Sequence, residues 1–110
     1  MDDGCRPARL AALLARSGAR LTIVGGTARW LSGDVRRPLD LDVTVVPGDL
    51  AALDRALARL GVEAHESALL RLRDVRVDTS WGPIDIFVRP VAPPSRTVGL
   101  HGTLLRVVTA

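Results

Sequence analysis

Residues 39–46, LDLDVTVV, decide how this chain reads. Leu39, Leu41, Val43 and Val45 alternate with Asp40, Asp42 and Thr44. That is the period of a strand with one face on a core and the other turned away from it. The pattern predicts a β-strand over 39–46, ended by Pro47-Gly48. In a strand, acids at i and i+2 share a face, about 7 Å apart at the backbone, and their oxygens can converge further. Two carboxylates about 5 Å apart, at an effective dielectric near 20, repel by roughly 3 kcal/mol. Solvation on the outer face of an edge strand relieves that repulsion, and so does a cation between the two. Hard oxygen ligands on one face suit Mg²⁺ or Mn²⁺.

Upstream, residues 21–24 (LTIV) predict a short strand rich in β-branched residues, and Gly25-Gly26 follow at once. Residues 27–32 (TARWLS) predict a short helix opened by that turn, and 33–38 a loop. Before them, 7–17 (PARLAALLARS) predict an amphipathic helix. Pro7 suits the first helical position, Leu10, Ala11, Leu13 and Leu14 form the apolar stripe, and Gly18 terminates it. Downstream, Asp49 is the expected cap of a helix over 50–60, with Leu50, Leu53, Leu57 and Leu60 on one face. Residues 69–79 and 83–88 predict strands around a hairpin turn at Ser80-Trp81-Gly82. Residues 91–98 read as a Pro-rich connection and 103–109 as a last strand. The order predicts one α/β (α+β) domain over 1–110, with a small mixed sheet and helices packed mainly on one face. The chain stops at a strand, with no terminal helix to cover the sheet. Cover by a partner or another protomer is therefore expected, or else the chain is a shortened version of a longer design.

Composition narrows the function classes. All fifteen basic residues are Arg, spread along the chain, and they exceed the acids by only three. Such a dispersed excess, with two Trp and one Phe, makes nucleic-acid binding through a dedicated basic patch a minor reading. Cys5 is the sole cysteine, so no intrachain disulfide forms, and a reducing, cytoplasmic compartment is expected. Cys5 itself reads as incidental, in a frayed N-terminus. The acidic start, Met-Asp-Asp, is unlike a signal peptide, and no apolar run nears the roughly 18 residues of a membrane span. His65 and His101 are single and lack ligand spacing. Trp30 and Trp81 read as core or rim residues.

Two further features bear on chemistry. A strand, two glycines and a helix allow close backbone approach of a phosphate at a helix N-terminus, or merely make a tight turn. Asp85, within Pro83-Ile84-Asp85-Ile86-Phe87-Val88, is a lone acid among apolar neighbours, where a charge is costly unless something uses it. If its strand lies beside 39–46, it completes a three-carboxylate cluster. Asp78 is the rival on the preceding strand.

Gly25-Gly26, thirteen intervening residues, Asp40-Leu41-Asp42, then Asp85 in a later strand together resemble the signature of the DNA polymerase β-like nucleotidyltransferase superfamily. The resemblance is to its minimal nucleotidyltransferases and AbiEii-type toxin nucleotidyltransferases. It covers roughly 20–109 and extends to TSWGPIDIFVRP and VGLHGTLLRVVTA. It implies the nucleotidyltransferase fold and transfer of a nucleoside monophosphate from a nucleoside triphosphate to a hydroxyl acceptor. That acceptor is a protein, a tRNA end or a small molecule. Gly25 and Gly26 would hold the triphosphate. Asp40 and Asp42 would bind two Mg²⁺ (or Mn²⁺) ions, and Asp85 would help bind the catalytic metal and activate the acceptor hydroxyl. Thr27 would add a hydroxyl to the phosphates. Arg36 and Arg37 would neutralise phosphate charge, or are solvated loop residues. A toxin–antitoxin partner protein and a homo-oligomer are both compatible with the resemblance. The alternative is a catalytically weak or inactive protein-binding module on the same fold. Pro38 stands where relatives often carry Ser or Thr, and the C-terminal helical region of longer relatives has no counterpart here.

Overall fold

The structure is a computed structural model that describes residues 5–109. Four helices and a six-stranded mixed sheet share one core. The apolar stripe of the first segment forms α1 (Arg6–Arg16), with Pro7 in its first turn and Leu10, Ala11 and Leu14 buried. Cys5 is the N-cap residue of α1 and is buried, so it belongs to the packed structure rather than to a frayed end. Burial pushes its thiol pKa up. β1 (Thr22–Val24) runs directly into α2 (Gly25–Leu31). The two glycines therefore lie inside the first turn of α2, not in a turn before it.

β2 spans Leu41–Val45 and is shorter than its sequence pattern predicts. Leu39 and Asp40 lie outside it, and Leu39 is 85% exposed instead of facing the core. The reason is a shortage of partners. β1 ends at Val24, which pairs with Asp42, and the chain then turns into α2. On the other side the parallel ladder begins at Leu41 and Ile84, next to Pro83, which has no N–H to donate.

A 3₁₀ turn (Pro47–Asp49) leads into α3 (Leu50–Arg59). Asp49 holds the N-cap position, but its side chain makes no capping bond. The expected strand over 69–79 begins in helix, and only 74–79 are strand. α4 (Glu66–Arg71) precedes β3 (Asp74–Thr79) and buries Leu69. The run ESALLR is rich in good helix formers, and strand alternation begins only where Val75 and Val77 turn inward. β4 (Gly82–Val88) follows a two-residue turn. There the Thr79 hydroxyl accepts from Trp81 N–H (3.0 Å) and donates to the Gly82 carbonyl (2.6 Å).

The Pro-rich connection ends at Pro94, and the last of the expected loop is β5 (Ser95–Leu100). It pairs with β6 (Thr103–Val108) across His101-Gly102, both at positive φ (49° and 77°), the backbone that a right-twisted two-residue hairpin demands.

The strand order is β3-β4-β2-β1-β6-β5. β2–β4 and β1–β6 are parallel, and the other neighbours antiparallel. β6 is thus an interior strand, and the edges are β3 and β5. The uncovered last strand expected from sequence is absent, because β5 pairs with β6 and α1 packs on it, burying Leu105 and Val107.

Ile23, Leu41, Val43, Ile84, Ile86 and Val107 are fully buried on one face, together with Leu10, Leu14, Leu53 and Leu57 of the helices. Each such side chain contributes about 1.5–3 kcal/mol. Strand alternation sends Asp42, Thr44, Asp85, Phe87 and Arg76 to the other face. No described helix is long and apolar enough to cross a membrane.

Candidate functional site

One row of paired residues crosses the open face at the C-terminal end of β1. Arg76 on β3 pairs with Asp85 on β4, Asp85 pairs with Asp42 on β2, and Asp42 pairs with Val24 on β1. Register alone therefore sets two carboxylates side by side. Gly25 comes next in the chain, with φ +66°. A Cβ there would collide with the Asp42 carboxylate, lying 3.2 Å from its Cγ and 3.3 Å from its Cβ. Only glycine allows both that backbone angle and that approach.

The row carries more negative than positive charge. Burial first, then a hydrogen bond with Asp85, then repulsion from Asp85 and Asp40, raise the Asp42 pKa above its ordinary value of 3.8, while Arg76 pulls it down. Among the described residues, Asp42 forms no salt bridge. Arg76 is drawn to the other two acids. Its Nη1 donates to both oxygens of Asp85 at 3.0 and 2.8 Å, and its Nη2 donates to Asp40 Oδ2 at 3.2 Å. These contacts raise the Arg76 pKa further, with the hydrogen bond to Asp40 leading.

Asp40 therefore belongs to the cluster through Arg76, not through a shared strand with Asp42. Among the described residues, no group of three His, Cys, Asp or Glu side chains is gathered as a ready metal cage. What converges is the pair Asp42 and Asp85. The row above is neutralised separately. Arg89 donates to Asp74 Oδ1 at 2.9 Å and lies 5.4 Å over the Phe87 ring. In that row the buried Thr44 Oγ1 has no hydrogen-bond partner among the described residues.

Thr27 sits otherwise than its expected phosphate role requires. It is fully buried, and its hydroxyl donates to the Asp40 carbonyl at 2.9 Å. That bond fixes the bend carrying Asp40 and leaves no donor for a ligand. Arg36 and Arg37 are exposed in the α2–β2 loop, and neither forms a salt bridge among the described residues. The Arg37 guanidinium lies 5.9 Å over Trp30. The backbone N–H of Arg36 donates to Asp34 Oδ1 at 2.9 Å. Gly26 faces Pro38, whose Cβ would stand 3.4 Å from an added Cβ. Asp78 pairs with Pro83, outside the cluster.

Arg76 is the residue that sequence reasoning missed. Its signal was available. A two-residue turn at Ser80-Trp81 pairs Thr79 with Gly82, and counting back three positions sets Arg76 opposite Asp85. Comparison with known protein families, curated proteins and solved structures gives no match.

Proposed function

We propose that this domain is a metal-dependent nucleotidyltransferase with the nucleotidyltransferase fold, acting through Asp42 and Asp85. The observation that carries this reading is the direct pairing of Asp42 with Asp85 on parallel strands, beside a glycine that leaves room for the carboxylate. The donor set fits a hard divalent cation. It is all oxygen, it is crowded with like charge, and among the described residues Asp42 forms no salt bridge. Asp42 and Asp85 would hold the ion, and Asp40 would join once freed from Arg76. Mg²⁺ or Mn²⁺, when bound, supplies charge to the attacking and leaving oxygens of an in-line displacement.

In the reaction, an acceptor hydroxyl oxygen forms a bond to the α-phosphorus of the nucleoside triphosphate. The bond from that phosphorus to the bridging oxygen breaks, pyrophosphate leaves, and the hydroxyl proton passes to Asp85. Asp42 keeps its carboxylate against Gly25, and Thr27 holds the bend of Asp40 from beneath.

The test is incubation with labelled nucleoside triphosphates, Mg²⁺ and candidate protein, tRNA or small-molecule acceptors. Label transfer by the natural chain, lost in Asp42→Asn, is the expected result. No transfer, and no Mg²⁺-dependent nucleotide binding, would sink the proposal.

A second reading is a protein-binding module, as half of a toxin–antitoxin pair. It is favoured by the outer side of edge strand β5, which borders only β6 among the described strands, and by the guanidinium already seated between Asp40 and Asp85. On that reading a biological effect survives Asp42→Asn and Asp85→Asn, whereas on the first it vanishes.

A further inference from the structure

Arg76 touches two acids of the site, and it does so from a position that permits departure. Its side chain is 54% exposed and stands on edge strand β3, which borders only β4 among the described strands. Exposed ion pairs contribute little to stability, so the contact is weakly explained as a device for holding the fold together. Nor is it needed for register, which the β3–β4 ladder and its turn already determine.

The contact matters more for who else can use those oxygens. One guanidinium nitrogen lies within hydrogen-bonding distance of both oxygens of Asp85. A hard cation coordinates carboxylate oxygens directly, so it and the guanidinium compete for the same lone pairs. With all three acids ionised, one Arg leaves two negative charges uncompensated, which favours entry of a divalent ion. The guanidinium thus set free is a planar donor fork at the rim of the site, a group suited to phosphate oxygens.

We propose that Arg76 is a displaceable counterion and a polyphosphate-binding residue: it bridges Asp40 and Asp85 until a divalent cation takes their oxygens, and then turns to the phosphates of the incoming nucleotide. This rests on the reading of Asp42 and Asp85 as the cation site. It assigns the triphosphate a partner from β3, in place of the hydroxyl of Thr27.

The experiment uses the full chain and two probes. Binding of Mn²⁺ alone is followed by its electron paramagnetic resonance signal. Binding of a non-hydrolysable nucleoside triphosphate analogue is measured at saturating Mn²⁺. Arg76→Gln removes the charge and the fork, while Arg76→Lys keeps the charge and loses the fork. The proposal expects Arg76→Gln to bind Mn²⁺ roughly tenfold tighter and the analogue roughly tenfold weaker, with Arg76→Lys between it and the natural chain. Circular dichroism confirms that each variant is folded, and Arg76→Lys carries the test if Arg76→Gln is not. Unchanged or weaker Mn²⁺ binding in the variants overturns the counterion role, and unchanged analogue binding overturns the phosphate role. If Asp42→Asn abolishes Mn²⁺ binding while the Arg76 variants match the natural chain, only the inference about Arg76 fails. If the natural chain binds no Mn²⁺, the reading of the site fails and this inference with it.

Discussion

Asp42 and Asp85 are directly paired residues of the parallel β2–β4 ladder, and both carboxylates leave the sheet on the face opposite the buried Leu41, Val43, Ile84 and Ile86. Two acids so placed work against the fold when no cation is present. Asp42→Asn removes one charge and keeps a hydrogen-bonding group of the same shape. We expect that variant to melt at a higher temperature than the natural chain in cation-free buffer at neutral pH. Relief of about 1 kcal/mol would raise Tm by roughly 4–8 °C in a domain of this size. If the pair holds a cation as proposed, millimolar Mg²⁺ should raise Tm of the natural chain and leave that of the variant unchanged, because a ligand stabilises only the state that binds it. Calorimetry of both proteins, with and without Mg²⁺, checks the pair of effects. A lower Tm for the variant in cation-free buffer would mean that the repulsion is already relieved.

The same pair gives a pH dependence whose sign is fixed. The Asp42 pKa is raised above 3.8 in the folded chain, by burial first and by Asp85 next. Between the ordinary and the raised value the folded chain binds more protons than the unfolded one, so stability falls as pH rises. The stabilisation is complete below the ordinary value and gone above the raised one. Without cation, Tm of the natural chain minus Tm of Asp42→Asn should therefore decrease across that window and then level off. A difference that grows with pH would contradict the raised value.

Gly25 and Asp42 should be energetically coupled, because an added Cβ and the carboxylate need the same space. In the natural background Gly25→Ala meets both a positive φ, worth about 1–2 kcal/mol, and a collision. In an Asp42→Ala background the carboxylate is gone, and only the backbone term and the 3.3 Å approach to the Cβ of residue 42 remain. A double-mutant cycle by urea denaturation should show Gly25→Ala costing less in the second background, by about 1 kcal/mol or more. Additive costs would mean that Gly25 is there for its backbone angle alone.

Residues 39–46 illustrate how far the sequence could be read. Alternation correctly set Asp42 opposite the core, and it correctly buried Leu41, Val43 and Val45. It overran at Leu39 and Asp40, because the length of a strand depends on where its neighbours stop, and β1 stops at Val24. Asp85 was legible as an acid that its apolar neighbours made costly, but only sheet order brings it beside Asp42. Its link to Asp42 is now the firmer one, and Asp40 the looser. Periodicity also failed at 69–73, where a single turn of helix and a strand have similar apolar counts, and at 95–100, where the preceding prolines masked the alternation of SRTVGL. Arg76 lay hidden for another reason. A charge on an outward strand position looks solvated until the hairpin register gives it a partner.

Thr27 separates a structural role from a ligand-binding one. Its hydroxyl is buried and bonded to the Asp40 carbonyl, so Thr27→Val, of nearly the same shape, deletes one hydrogen bond and leaves that carbonyl under-satisfied. Such a loss costs about 1–3 kcal/mol, read as a lower urea midpoint with an unchanged slope. The bend that carries Asp40 should loosen as well. Mn²⁺ affinity should therefore weaken modestly, while the affinity for a triphosphate analogue at saturating Mn²⁺ should stay close to that of the natural chain. Had Thr27 been a phosphate ligand, the pattern would reverse: stability nearly unchanged and analogue affinity reduced. Measuring the midpoint and the analogue affinity on one preparation distinguishes the two, and a stable variant with impaired analogue binding would overturn the structural assignment.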